Sequence, residues 1–310
     1  MPSLAVLFAG LTLKNPVVLA SGTCGYGVEY APFLDLNRLG GIVVKGISLA
    51  PRQGNPPPRI IETPSGMLNA IGLQNIGWRA FVTEYLPRLS AFETKVIVNI
   101  YGHTVGEYRE VAQRLSEHPG IHALEINVSC PNVDKGGLAF GTDPACTFQV
   151  TEAVKKATHL PVITKLSPNV TDIRPIAKAA EEAGADALSL INTLLGMTVD
   201  VRTRRPHLAN ITGGLSGPAI RPVALRMVWE AARAVSLPII GMGGIMNAED
   251  ALAFLMVGAT AVQIGTGLFV DPSCPVRVLD GMQAFLVEEG IEDIRQIIGG
   301  LDTSPARDDR

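Results

Sequence analysis

The 310-residue chain is 47% apolar and only 5% aromatic, long enough to bury one large α/β domain, taken here as a single unit over 1–310. Its 26 basic residues against 29 acidic ones leave a net charge of -3, and no basic cluster alternates with aromatics, so nucleic acid is not an expected partner and a small molecule is. Cys24, Cys130, Cys146 and Cys274 stand far apart without a C-x-x-C pair, which argues against a zinc or iron–sulfur site on this chain and for reduced thiols in a cytoplasmic protein.

No basic segment precedes an apolar run at the amino terminus, so no signal peptide is expected. Leu4 to Phe8 and Leu11 to Leu13 flank a turn at Gly10 and predict a hairpin plugging one end of the domain. Buried strands are predicted at Val17 to Ala20, ending in Ser21-Gly22-Thr23, and at Gly41 to Lys45, ending in Lys45-Gly46. The same grammar recurs at Lys95 to Ile100, Ile121 to Ile126, Pro161 to Leu166, Ala187 to Ile191, Pro238 to Ile240 and Ala261 to Ile264.

Helix signals lie between several of these strands. Asp143 and Pro144 read as N-cap and first helical residue, Ile173, Ile176, Ala177 and Ala180 form an apolar stripe, and Asn247 caps a helix ending near Gly258. Residues 251–270 are uncharged and about as long as a membrane span, but Gly258, Gln263, Gly265 and Gly267 interrupt them, so a helix, a turn and a buried strand are expected there and no membrane partner. Eight buried strands alternating with helices predict a closed parallel (β/α)8 TIM barrel. Two intervals between strand ends run to about 55 and about 50 residues, against roughly 30 for a bare unit. The excess makes long insertions after strand two, where Pro51 to Pro58 and the amide-rich Asn69 to Asn75 lie, and after strand six, at Met197 to Gly214. Both belong to the face where barrels build lids and substrate loops.

Polar groups gather at the same strand ends. Lys45 and Lys165 close buried strands, and a lysine held there needs an anion or a carboxylate beside it, or loses its charge. Gly241-Met242-Gly243-Gly244 after strand seven and Gly265-Thr266 after strand eight stand where barrels cradle a phosphate, here that of a cofactor. Asn69, Asn99, Asn127, Asn132, Asn192 and Thr193 suit a flat heterocycle with N–H and C=O edges, although asparagines also cap loops. In Asn127-Val128-Ser129-Cys130-Pro131-Asn132 the thiol can move a proton, unless Cys130 is only a small buried hydrophobe.

Taken together, Ala20-Ser21-Gly22-Thr23, Val44-Lys45-Gly46, Asn69-Ala70-Ile71-Gly72-Leu73-Gln74-Asn75, the Asn127 to Asn132 stretch, Ile191-Asn192-Thr193 and Gly241-Met242-Gly243-Gly244 resemble the class 1 dihydroorotate dehydrogenases over nearly the whole chain. Gly136-Gly137, Phe140-Gly141-Thr142-Asp143-Pro144 and Gly213-Gly214-Leu215-Ser216-Gly217-Pro218 resemble the class 1B catalytic subunit. The resemblance implies an FMN-containing barrel that oxidises dihydroorotate to orotate in pyrimidine synthesis. Cys130 would take the C5 proton while hydride passes from C6 to the flavin N5, and a thiol pKa near about 8.5 implies activity rising with pH.

By the same resemblance, Lys45, Asn69, Ala70, Ile71, Gly72, Leu73, Asn127, Asn132, Asn192 and Thr193 would contact the substrate. Lys165 would lie beside the isoalloxazine, Ser21, Gly46, Asn99, Ile191 and Gly217 would line the flavin, and Gly243, Gly244, Gly265 and Thr266 would hold its phosphate, with Lys45 and Asn127 reaching both ligands. Class 1B passes electrons to NAD through a second subunit carrying FAD and an iron–sulfur cluster, on a homodimer core that makes a heterotetramer. Class 1A is instead a homodimer that reduces fumarate. Three other readings are a flavin barrel acting on another pyrimidine, a non-flavin phosphate-binding lyase or isomerase, and a non-catalytic scaffold. The lyase or isomerase would need a carboxylate base at a strand end, and none is read there. Met197 to Gly214 and the Cys130 segment are the candidate lids, and the charged Thr303 to Arg310 tail is expected to fray.

Overall fold

A computed structural model of the chain describes residues 1–129, 131–132 and 138–304, with the backbone alone at 131–132 and 138–139. Cys130, Gly136-Gly137 and the end of the charged tail from residue 305 lie outside the described residues. Eight parallel strands close into a barrel in chain order: Val17–Leu19, Gly41–Ile47, Lys95–Ile100, Ala123–Asn127, Val162–Lys165, Ala187–Leu190, Ile239–Met242 and Ala261–Ile264, hereafter barrel strands one to eight. Strand eight closes onto strand one through Val262, Gln263 and Ile264 opposite Val17, Val18 and Leu19.

The strand sequences are nearly unbroken apolar runs because each is covered on both faces, by the barrel interior and by the helices outside. Val17, Val18, Leu19, Ile97, Val98 and Val262 are all fully buried. Strand four starts at Ala123 rather than Ile121, and strand two continues past Lys45 to Ile47. Between Val44 and Ile47 its register against strand three shifts, so Lys45 and Gly46 leave the regular ladder at the barrel mouth.

Helices Val105–Ser116, Pro144–Ala157, Arg174–Glu182, Arg221–Ala232 and Ala248–Met256 fill the gaps from strand three to strand eight. Asp143 Oδ1 accepts from Cys146 N at 2.8 Å and Asn247 Oδ1 from Asp250 N at 2.9 Å, the two caps expected from sequence. Strands one and two are joined by short 3-10 turns alone. The uncharged stretch 251–270 divides into the end of one helix, strand eight and the short helix Gly267–Val270, and no helix among the described residues is long and apolar enough to cross a membrane.

Val6–Phe8 and Leu11–Leu13 form the amino-terminal hairpin, with Phe8 and Leu13 buried and Leu7 exposed. It shares a depression with Pro161, Asp186 and Pro238, which precede strands five, six and seven, so it covers the amino-terminal end of the barrel. At the other end the two insertions build one structure together. Leu194–Met197, Thr212–Ser216, Gly66–Asn69 and Ile60–Thr63 lie side by side, in that order, as a four-stranded antiparallel sheet. Leu68, Ala70 and Leu208 form a small separate core beneath it.

Candidate active site

The carboxyl-terminal ends of the barrel strands and the inserted sheet enclose a cleft of about 580 Å³, a size suited to a cofactor and a small substrate. Every sequence-predicted site residue whose side chain is described lines it. Lys45, Gly46, Asn69, Ala70, Ile71, Gly72 and Leu73 come from strand two and its insertion, Asn99, Asn127, Lys165, Ile191, Asn192 and Thr193 from strands three to six, and Ser21, Gly217, Gly243, Gly244, Gly265 and Thr266 from the remaining mouth. For Asn132 only the backbone is described, opposite Leu138, and Cys130 lies outside the described residues.

The Asn69 to Asn75 loop is held from below. Asn75 is buried, and its Nδ2 donates to Leu73 O at 3.0 Å and to Tyr101 Oη at 2.7 Å, while Tyr101 Oη donates to Leu73 O at 2.8 Å. From the proline-rich segment, Asn55 N donates to Ile71 O at 3.0 Å and Asn55 Nδ2 to Ala70 O at 3.0 Å. Gly72 has φ +75°, and a Cβ there would stand 2.5 Å from Asn55, so the turn excludes other side chains.

Arg59, which the sequence reading passed over, also lines the cleft. It donates to Asn55 O at 3.3 Å and Gln74 Oε1 at 2.6 Å, and neither Arg59 nor Lys45 has a carboxylate partner among the described residues. Burial, helped by the charge of Arg59, lowers the Lys45 ammonium below its ordinary range. Two uncompensated cations at one cleft are a receptor for an anion.

Asn127 and Asn192 form a fixed amide pair. Asn192 Nδ2 donates to Asn127 Oδ1 at 3.2 Å and to Ser129 Oγ at 2.9 Å, Ser129 N donates to Asn127 Oδ1 at 3.1 Å, and Thr193 N donates to Asn192 Oδ1 at 2.8 Å. The side-chain carbonyl of Asn127 is thereby used within the chain, while the N–H groups of that side chain have no partner among the described residues. Tyr108 Oη donates to Asn127 O at 2.6 Å, and Gly141 N to Val128 O at 2.6 Å, which anchors the approach to Cys130.

The glycines after strand seven are required by packing as well as conformation. Gly243 has φ +134° and Gly244 φ +76°, and Cβ atoms there would meet Ala224 Cβ at 2.7 Å and Gly217 O at 2.8 Å. Thr266 Oγ1 donates to Ser216 Oγ at 2.8 Å, tying this wall to the inserted sheet.

Beneath the cleft stands a carboxylate that the sequence reading passed over. Glu125, two residues inside strand four, is fully buried and accepts from Asn99 Nδ2 at 2.7 Å, Ser189 Oγ at 2.8 Å and Gln263 Nε2 at 2.9 Å, with Lys165 Nζ at 3.6 Å. The partner demanded by Lys165 is therefore a carboxylate of the chain. This does not overturn the reading that no carboxylate base stands at a strand end: Glu125 lies inside the strand, fully buried, with its oxygens taken up by donors of the chain and out of a substrate's reach. Cys24 is equally unsuited to proton transfer, because burial and the charge of Glu29 push its thiol up to about 12. The sequence offered one usable signal for Glu125, a lone acid in a strand otherwise apolar on both faces.

Comparison with known proteins agrees with the geometry. A family profile described as dihydroorotate dehydrogenase matches residues 3–286. The chain is 57% identical over 302 residues to the "Dihydroorotate dehydrogenase B (NAD(+)), catalytic subunit" of Geotalea uraniireducens, covering 97% of this chain and 99% of the relative. It is 60% identical over 295 residues to the protein of the same name from Desulforudis audaxviator, covering 95% and 96%. Among solved structures, DHODH in complex with ferulenol from Eimeria tenella superposes with a TM-score of 0.79 at 25% identity, over 97% of this chain and 89% of that one.

Proposed function

The chain belongs to the dihydroorotate dehydrogenase family, and from that premise we propose that it oxidises dihydroorotate to orotate in pyrimidine biosynthesis, as the catalytic subunit of an NAD-linked assembly. The observation that carries this reading is the pair of cations, Lys45 and Arg59, without carboxylate partners among the described residues, in a cleft whose other wall is a glycine cradle. A substrate carboxylate answers the cations, and a cofactor phosphate answers the cradle.

FMN fits the residues present: a Cβ would fill the cradle at Gly243 and Gly244, and the buried Gln263 Oε1 beside the cleft lacks a donor among the described residues. When bound it supplies the acceptor for the two electrons that leave with the C6 hydride. Lys45 and Arg59 bind the substrate carboxylate, and the N–H groups of Asn127 donate to a ring carbonyl. Asn69, Asn132, Asn192 and Thr193 complete the pyrimidine edge, with Ala70, Ile71, Gly72 and Leu73 closing over it. Cys130 takes the proton from C5, so that the C5–C6 double bond forms as hydride departs. Lys165 would supply positive charge beside the bound cofactor, and Ser21, Gly46, Asn99, Ile191, Gly217, Gly265 and Thr266 would hold it.

Electrons leave through a partner subunit carrying FAD and an iron–sulfur cluster, with two copies of this chain at the core of a cytoplasmic heterotetramer. Leu195, Met197, Val199 and Val201, exposed around the second insertion, offer apolar surface to such contacts. The test is an anaerobic titration of the purified chain with dihydroorotate, followed by flavin absorbance. Bleaching that persists on adding NAD or fumarate, and reverses with NAD once the second subunit is present, is the expected result. Recovery with fumarate alone would replace the NAD-linked reading by a fumarate-reducing homodimer, and a chain that takes up no flavin would overturn both.

A further inference from the structure

Gln263, on barrel strand eight, is 1% exposed and lines the cleft, yet its Oε1 has no hydrogen-bond partner among the described residues. The sense of this amide is fixed. Its Nε2 donates to Glu125 Oε2 at 2.9 Å, and turning it over would set the amide oxygen against a carboxylate oxygen. Glu125 is itself immobilised by Asn99 Nδ2 at 2.7 Å, Ser189 Oγ at 2.8 Å and Lys165 Nζ at 3.6 Å. A buried acceptor held in this way calls for a donor, and at the wall of a cleft that donor comes with the ligand.

We propose that Gln263 is a cofactor-contacting residue whose Oε1 accepts from the ring N–H of the flavin imide, with Glu125 as the positioning residue that fixes the amide's sense. The proposal rests on the FMN reading above. An oxidised isoalloxazine carries a single N–H, at N3, between two carbonyls. The barrel floor presents the complement: the acceptor Gln263 Oε1 and the cation Lys165, both held to one carboxylate, Gln263 on its Oε2 and Lys165 on its Oε1. The cofactor is the better match than the substrate because Gln263 lies on strand eight, which runs directly into Gly265 and Thr266, whereas the unpaired cations Lys45 and Arg59 belong to strand two and its insertion.

The experiment compares binding of FMN and 3-methyl-FMN to the full chain stripped of flavin, read by quenching of flavin fluorescence, in the wild type and in Gln263→Met. The wild type is expected to bind 3-methyl-FMN at least about tenfold more weakly than FMN, as loss of one buried hydrogen bond requires. Gln263→Met is expected to bind the two within about twofold, since its preference no longer has a source. Glu125→Gln, which lets the Gln263 amide take either sense, should narrow the preference, and an unchanged preference there would remove the positioning role of Glu125. A wild type that binds both flavins alike, or a Gln263→Met variant that keeps the wild-type preference, overturns the hydrogen bond while leaving FMN binding in place. A wild type that binds neither flavin refutes the FMN reading itself. The wild-type comparison needs no variant to fold.

Discussion

Replacing Glu125 by Leu tests how the barrel interior is held together. The substitution leaves Lys165, only 5% exposed, without its carboxylate, and breaking a buried ion pair from one side costs about 3–5 kcal/mol. Asn99, Ser189 and Gln263 each lose an acceptor as well, at about 1–3 kcal/mol apiece when nothing replaces it. These costs do not add fully, because Asn99 and Gln263 line the cleft and can turn toward water. A loss of at least about 4 kcal/mol remains, a large part of the roughly 5–15 kcal/mol that holds a domain together. Urea unfolding of the flavin-free chain, followed by the fluorescence of Trp78 and Trp229, measures it. Adding Lys165→Met removes the orphaned charge and should restore at least about 2 kcal/mol. A loss below about 1 kcal/mol in Glu125→Leu, or no recovery in the double variant, would refute the account of the buried network.

At Gly214 a Cβ would fall 2.1 Å from Thr193 Oγ1, so Gly214→Ala should raise the KM for dihydroorotate by about tenfold while FMN content stays normal. An unchanged KM would take Thr193 out of the substrate site. The lowered Lys45 pKa fixes the sign of a pH effect: a bound anion favours the charged amine, so orotate affinity should be constant at lower pH and fall as pH rises through the depressed Lys45 value, below 10.5. Orotate binding measured against pH in the wild type and in Lys45→Met checks this, since the variant should lose that alkaline limb. Cys130→Ala should slow flavin reduction by dihydroorotate by about 10²–10⁴-fold, and a stopped-flow rate equal to that of the wild type would exclude the thiol as base.

The barrel was legible because its strands are buried on both faces and so read as short β-branched runs, ending in the polar residues that reach the cleft. Lys95 to Ile100 and Ala261 to Ile264 match their observed strands residue for residue. The insertions were legible only as excess length. Ile60–Thr63 alternates between exposed and half-buried positions and carries little apolar signal, and its sheet depends on pairing between segments distant in sequence. Arg59 and Gln263 escaped for a related reason. A lone arginine after a proline run and a glutamine inside an apolar strand acquire meaning only from what stands beside them in space. Lys165 posed the question of a partner correctly, but the answer, Glu125, sits on a neighbouring strand.

The inserted sheet also bears on the order in which the chain assembles. Asn69 and Gly214 are 145 residues apart, and they pair across the mouth of a barrel whose third to sixth strands lie between them. Closing so long a loop gains little until the intervening barrel has already brought its ends together. The glycine cradle, by contrast, belongs mainly to strands seven and eight and the turns that follow them, and meets the inserted sheet only at its edge, through Ser216 and Gly217. On that order, the wall proposed to meet a cofactor phosphate forms largely with the barrel, and the wall proposed to meet the pyrimidine is completed last.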